Sequence, residues 1–185
     1  MASDSLLTSD SVAESSTTVL SSANTREQFL RFQLDTETTV LLPISQIAEV
    51  LTIPIDQITP IPQLPAWVMG AYNWRGEVLW MVDLAHLIGL TPWHQQGISA
   101  TYSIIVLRVR SMSTLTNAEN QMIGLVINRA EMMEWCDPDL LQSPSSDDVI
   151  APELIPFLRG YQLKSNGEQL AVLDDEVIVT AISQS

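Results

Sequence analysis

At 185 residues and 46% hydrophobic content, the chain is long enough for one domain, or two small lobes sharing a core, and too apolar for general disorder. Twenty-two Asp and Glu against eight Lys and Arg give a formal net charge of −14, which opposes binding to nucleic-acid phosphates or direct insertion at anionic membrane surfaces. No apolar run nears the roughly 18 residues that span a bilayer, no basic residue precedes Arg26 to start a signal peptide, and the single Cys136 forms no internal disulfide, so a cytoplasmic location is expected.

Residues 1–25 hold twelve Ser or Thr and no aromatic residue, the composition of a disordered tail. The folded part, residues 26–185, opens with Phe29 to Leu34, where Leu30, Phe32 and Leu34 share one face of a strand. Asp35 to Thr38 form a polar turn and Thr39 to Leu42 a second strand. Pro43 suits the start of a short helix continued by Ile44, Ile47 and Ala48. Glu49 to Ile53 returns to strand character. Pro54, Pro60, Pro62 and Pro65 then forbid a long helix or a central strand. Asn73 to Glu77 reads as a hairpin turn and Val78 to Val82 as a buried strand, with Trp80 inside and Trp74 partly exposed. Asp83 caps a short helix that Gly89 ends.

A Gln/Gly linker near His94 to Ser99 divides this lobe, about 26–95, from a second, about 99–185, with exchange of strands between the two allowed. Ser103 to Arg110 and Gln121 to Asn128 are expected strands, joined by a polar and mobile loop from Ser111 to Asn120. Pro138 and Pro144 break the chain. Pro152 to Arg159 reads as a short helix stopped at Gly160, and Gln169 to Leu173 as a strand. Asp174 caps a final helix with Val177, Ile178, Ala181 and Ile182 on one face.

The lobes share an internal echo. Gly76-Glu77-Val78-Leu79-Trp80-Met81-Val82-Asp83 and Gly167-Glu168-Gln169-Leu170-Ala171-Val172-Leu173-Asp174 both read Gly-Glu-x-Leu-x-x-apolar-Asp and both enter a helix. Upstream, Glu49-Val50-Leu51 to Pro60 echoes Glu131-Met132-Met133 to Pro144. Two similar β units side by side follow, with a cleft between them. Arg75, the only cation between Arg31 and Arg108, falls at the tip of the first hairpin. An acidic chain that places one arginine at a hairpin tip presents it to a partner.

Catalysis finds little support in these residues. Asp83 and Asp174 stand where helix caps belong, His86 and His94 are the only histidines, no Cys/His spacing suits zinc, and no Gly-rich phosphate loop occurs. Neither a metal nor a cofactor is expected, and Cys136 reads as an inert thiol. Trp67, Trp74, Trp80 and Trp93 also admit a Trp-rich ligand-binding β-barrel as the alternative class.

With these motifs in place, the chain resembles the CheW-like adaptors of bacterial chemosensory arrays. The matching stretches are Phe29 to Leu34, Leu42-Pro43-Ile44, Ile47-Ala48-Glu49-Val50, Ile61-Pro62, Trp67-Val68-Met69-Gly70, Asn73-Trp74-Arg75-Gly76, Val82-Asp83-Leu84, Ile123-Gly124-Leu125-Val126 and Leu158-Arg159-Gly160. The resemblance implies a mostly β fold, with two SH3-like five-stranded β-barrel lobes packed side by side, short helices and a C-terminal helix. It implies no catalysis and an adaptor between chemoreceptor cytoplasmic tips and the regulatory domain of a CheA-type histidine kinase, with output to flagella or to type IV pili in twitching or phototaxis. Carried over by position, the receptor-binding candidates are Ile47, Glu49, Gly70, Asn73, Arg75 and Gly76. Trp74, Gly124, Leu125 and Val126 are candidates for a further partner interface. Trp74 departs from the family, where an aliphatic residue is common, and so does the acidic helix Asp-Asp-Glu-Val-Ile-Val.

Overall fold

The computed structural model describes residues 26–97, 99–110, 120–143 and 151–184. The expected mobile loop and Pro144 lie outside these, apart from Asn120 at the start of a strand, as does the Ser/Thr-rich tail.

Ten strands form two five-stranded sheets. Strand β1 (Glu27–Gln33) pairs antiparallel with β2 (Thr39–Pro43) across a turn in which Asp35 Oδ1 accepts from the backbone N–H groups of Glu37 and Thr38, at 2.9 and 2.7 Å. β3 (Ile47–Pro54), β4 (Val68–Trp74) and β5 (Glu77–Asp83) follow, then α1 (Leu84–Ile88). The rest of the chain supplies β6 (Thr101–Arg110), β7 (Asn120–Ile127), β8 (Arg129–Cys136), β9 (Leu158–Leu163), β10 (Gln169–Leu173) and α2 (Asp175–Ser183).

The sheet orders are β8-β1-β2-β10-β9 and β3-β6-β7-β5-β4, so each sheet draws strands from both halves of the chain. The two orders have the same internal pattern. β10 pairs parallel with β2 and antiparallel with β9, while β5 pairs parallel with β7 and antiparallel with β4. The sequence echo therefore lands on corresponding strands. Each of its two copies ends in an aspartate that caps the next helix: Asp83 Oδ1 accepts from the His86 N–H, and Asp174 Oδ1 from those of Glu176 and Val177. Gly89 closes α1 in the left-handed region, at φ 95°.

Apolar side chains fill three compartments. One lies within each sheet: Ile53, Leu79, Met81, Ile104 and Val106 in the sheet that carries β5, and Phe29, Leu41, Cys136, Leu170 and Val172 in the other. The largest lies between the sheets, where Leu30, Phe32, Val82, Ile105, Leu125 and Ala171 join Leu84 of α1 and Ile178 of α2. Burial of this seam is what makes the two lobes one unit.

Five local expectations are corrected. Ile47 and Ala48 belong to β3, because the turn after Pro43 is a 3-10 turn of only three residues, Ile44–Gln46. Pro152–Phe157 is likewise 3-10, and Leu158, Arg159 and Gly160 lie in β9, so Gly160 stops no helix. β8 was not expected at all; its charges and methionines lack a β-branched signature, and pairing with β1 makes it a strand. Val78 and Trp80 are exposed, since on β5 they alternate with the inward Leu79 and Met81. Val177 is also exposed, and of its expected helix face only Ile178 is fully buried.

Candidate partner-binding site

The hairpin β4–β5 has two turn residues, Arg75 and Gly76, at φ 55° and 89°. Positive φ at both positions is the type I′ requirement, which matches the twist of the flanking strands. Glycine meets it freely, whereas an arginine held there carries about 1–2 kcal/mol of strain. Asn73 Oδ1 accepts from the Gly76 N–H at 3.0 Å and fastens the turn.

Arg75 reaches from this turn to β3, the opposite edge strand of the same sheet. Its Nη2 donates to Glu49 Oε2 at 2.8 Å. The same oxygen accepts from Trp74 Nε1 at 3.3 Å, and the guanidinium carbon lies 4.8 Å from the centre of the Trp74 ring. Glu49, Trp74 and Arg75 thus form one unit that ties the two sheet edges together. Arg75 remains 67% exposed, so its charge is solvated and available.

The other sheet closes its edges differently. Lys164, just past β9, is paired with Glu134 of β8, and Cys136 Sγ donates to Gln162 Oε1 at 2.6 Å. Arg31 on β1 is enclosed by three carboxylates: Glu131 at 2.8 Å, Glu134 at 3.2 Å and Glu168 at 2.7 Å. The hydrogen bond to Glu168 leads in holding the Arg31 proton more tightly than usual, against the cost of burial. In return, that bond pulls the Glu168 carboxyl below the ordinary carboxylate range. Arg31 and Lys164 are thus used internally, whereas Arg75, like Arg129 and Arg159 of this sheet, is exposed.

The remaining candidates divide. Glu49, Asn73, Trp74, Arg75 and Gly76 meet at the hairpin tip. Ile47 is half-buried against the inter-lobe core. Gly70 is buried, and its place is set by backbone: a Cβ there would lie 2.1 Å from the Thr59 carbonyl oxygen, in a segment where Thr59 and Ala71 exchange N–H···O bonds of 2.8 and 2.9 Å. Gly124, Leu125 and Val126 lie on the inner strand β7. A Cβ on Gly124 would sit 2.7 Å from Met81 Sδ, and Leu125 and Val126 are buried, so these positions pack the core and expose no side chain to a partner.

Sequence reasoning placed Trp74 near a partner but missed its bridge from Arg75 to Glu49. An aromatic residue one position before the turn cation, in a hairpin facing a carboxylate strand, was the available signal. Beside the tip, Thr59, Tyr72, Asn73, Glu77 and Val78 line a shallow open cavity of about 180 Å³.

Among the described residues no three His, Cys, Asp or Glu side chains are grouped to hold a metal ion. Asp83 is buried as a structural group: beyond capping α1, its Oδ2 accepts from the Trp93 N–H at 2.8 Å. Burial, reinforced by Glu134, pushes the Cys136 thiol up to about 11. No helix among the described residues is long and apolar enough to cross a membrane.

A family model described as "CheW-like domain" matches residues 28–183. Among solved structures, the chain is similar to the crystal structure of the scaffolding protein TtCheW from Thermoanaerobacter tengcongensis, with a TM-score of 0.61 and 22% sequence identity over 80% of this chain and 88% of that one. No curated protein sequence matches the chain.

Proposed function

The chain belongs to the family of CheW-like domains, and from that premise we propose that it is a non-catalytic cytoplasmic adaptor coupling chemoreceptor cytoplasmic tips to the regulatory domain of a CheA-type histidine kinase. The observation that carries this reading is the hairpin tip: an exposed arginine at a turn apex, in a chain of net charge −14, anchored at Glu49 with donors to spare. A guanidinium fork of this kind suits a carboxylate on a partner, which a lysine would hold only as a point charge. That the similar crystal structure is of a scaffolding protein supports the same reading.

Receptor tips are helical hairpins, and a helix laid against the tip and the inter-lobe seam is the partner geometry that suits it. A contact of roughly 1,200 Å² or less, at about micromolar affinity, is normal for transient signalling. Many such weak contacts hold an array together by avidity.

The test is a calorimetric titration of the purified chain against a receptor-tip hairpin and against the kinase regulatory domain, both from the same cell. Binding to both is expected. Binding to neither would remove the adaptor reading and leave a ligand-binding β module as the surviving class.

A further inference from the structure

We infer that Trp74 is a positioning residue for Arg75: its indole ring and N–H hold the guanidinium against Glu49, so that one edge is spent internally and the other is offered to a partner carboxylate. The inference rests on the reading of Arg75 as the receptor contact and adds how that contact is prepared.

A long arginine at a turn apex samples many rotamers, and ordering it on binding costs free energy. Here two neighbours remove that freedom beforehand. Trp74 covers one face of the guanidinium at 4.8 Å, and Glu49 Oε2 takes Nη2 at 2.8 Å. Trp74 also donates its own N–H to that oxygen at 3.3 Å, so the ring and the carboxylate fix each other as well as the cation. The ring is in turn fixed from behind, because Trp74 packs half-buried against the core compartment of Leu79 and Met81. Arg75 Nε and Nη1 make no hydrogen bond among the described residues, so donors for a second carboxylate remain. An aliphatic residue at position 74 would supply neither the π face nor the N–H.

A four-member series tests this, with binding of a receptor-tip hairpin and thermal unfolding measured for each: Arg75→Ala, Trp74→Phe, Trp74→Leu and the double variant Trp74→Leu/Arg75→Ala. An exposed cation–π contact is worth about threefold to fivefold in affinity. Trp74→Leu should therefore bind about that much more weakly than wild type, while Trp74→Phe, which keeps the ring face, recovers most of the loss. In the Arg75→Ala background, Trp74→Leu should have no further effect on binding. The Arg75 side-chain Nε–H resonance should be shifted by the ring current in wild type and Trp74→Phe, and lose that shift in Trp74→Leu.

Equal loss from Trp74→Leu with and without Arg75 would mean that Trp74 merely supports the fold, and would overturn the inference. So would wild-type binding by Trp74→Leu while Arg75→Ala loses binding, an outcome that leaves the receptor site standing. Wild-type binding by Arg75→Ala would instead sink the receptor-site reading and this inference with it.

Discussion

Gly70 and Gly160 occupy the same place in the two sheets. Each lies in the edge strand that follows a proline-rich connection. Each has the carbonyl of a bridging residue packed where its side chain would be: Thr59 O would be 2.1 Å from a Cβ on Gly70, and Gln142 O 2.8 Å from one on Gly160. The internal repeat thus extends beyond the visible sequence echo to the way each sheet has a connection folded back onto its edge strand.

Gly70→Ala should destabilise the protein by about 2–4 kcal/mol, because φ is +140° and the clashing atoms are backbone that cannot step aside. Gly160→Ala should cost less. Urea unfolding of the two variants checks the order; a near-neutral Gly70→Ala would mean that the Thr59 bridge is not formed.

Arg31→Met should cost about 2–3 kcal/mol, since it leaves Glu131, Glu134 and Glu168 together with Lys164 as the remaining cation on Glu134. Arg75→Met removes only an exposed pair and should cost under about 1 kcal/mol. Chemical denaturation of both variants reads the difference directly.

The Glu168 carboxyl is held below its usual range chiefly by Arg31. A depressed folded value means that this group stabilises the protein fully above the unfolded carboxylate value of about 4.3, and that the contribution is lost as pH falls through the lower, folded one. Glu168→Gln should therefore be less stable than wild type at neutral pH, and the gap should close in acid. A gap of the same size at both ends would contradict the pairing.

Cys136 is buried and its thiol is pushed up to about 11, so the reactive thiolate is scarce at neutral pH. An aromatic disulfide reagent should label it slowly in the native protein and rapidly in denaturant. Fast native labelling would show that the β8–β9 edge opens.

Much of this architecture was legible because its signals are local. A turn glycine after a cation, an aspartate before a short apolar helix, and alternating Leu30, Phe32 and Leu34 each state their conformation within a few residues. β8 and β9 were not legible, because pairing partners far along the chain make them strands. Gly160 read as a helix stop when its role is to admit the Gln142 carbonyl. Ile44 and Ile47 have helical spacing but serve a 3-10 turn and a strand. For the site, the hairpin tip could be read from Asn73-Trp74-Arg75-Gly76. Whether Gly124, Leu125 and Val126 face a partner or a core depends on which strands flank β7, which composition does not encode. Trp80 was misjudged because the identity of the inward face of β5 is set by register.

We propose that Arg75 is where the chain grips a receptor tip. The direct measurement is the affinity of a receptor-tip hairpin for wild type and for Arg75→Ala, with kinase-domain binding followed in parallel. A loss of about 2 kcal/mol, near thirtyfold, on the receptor arm alone is the predicted result. Equal receptor affinity for the two proteins would contradict it.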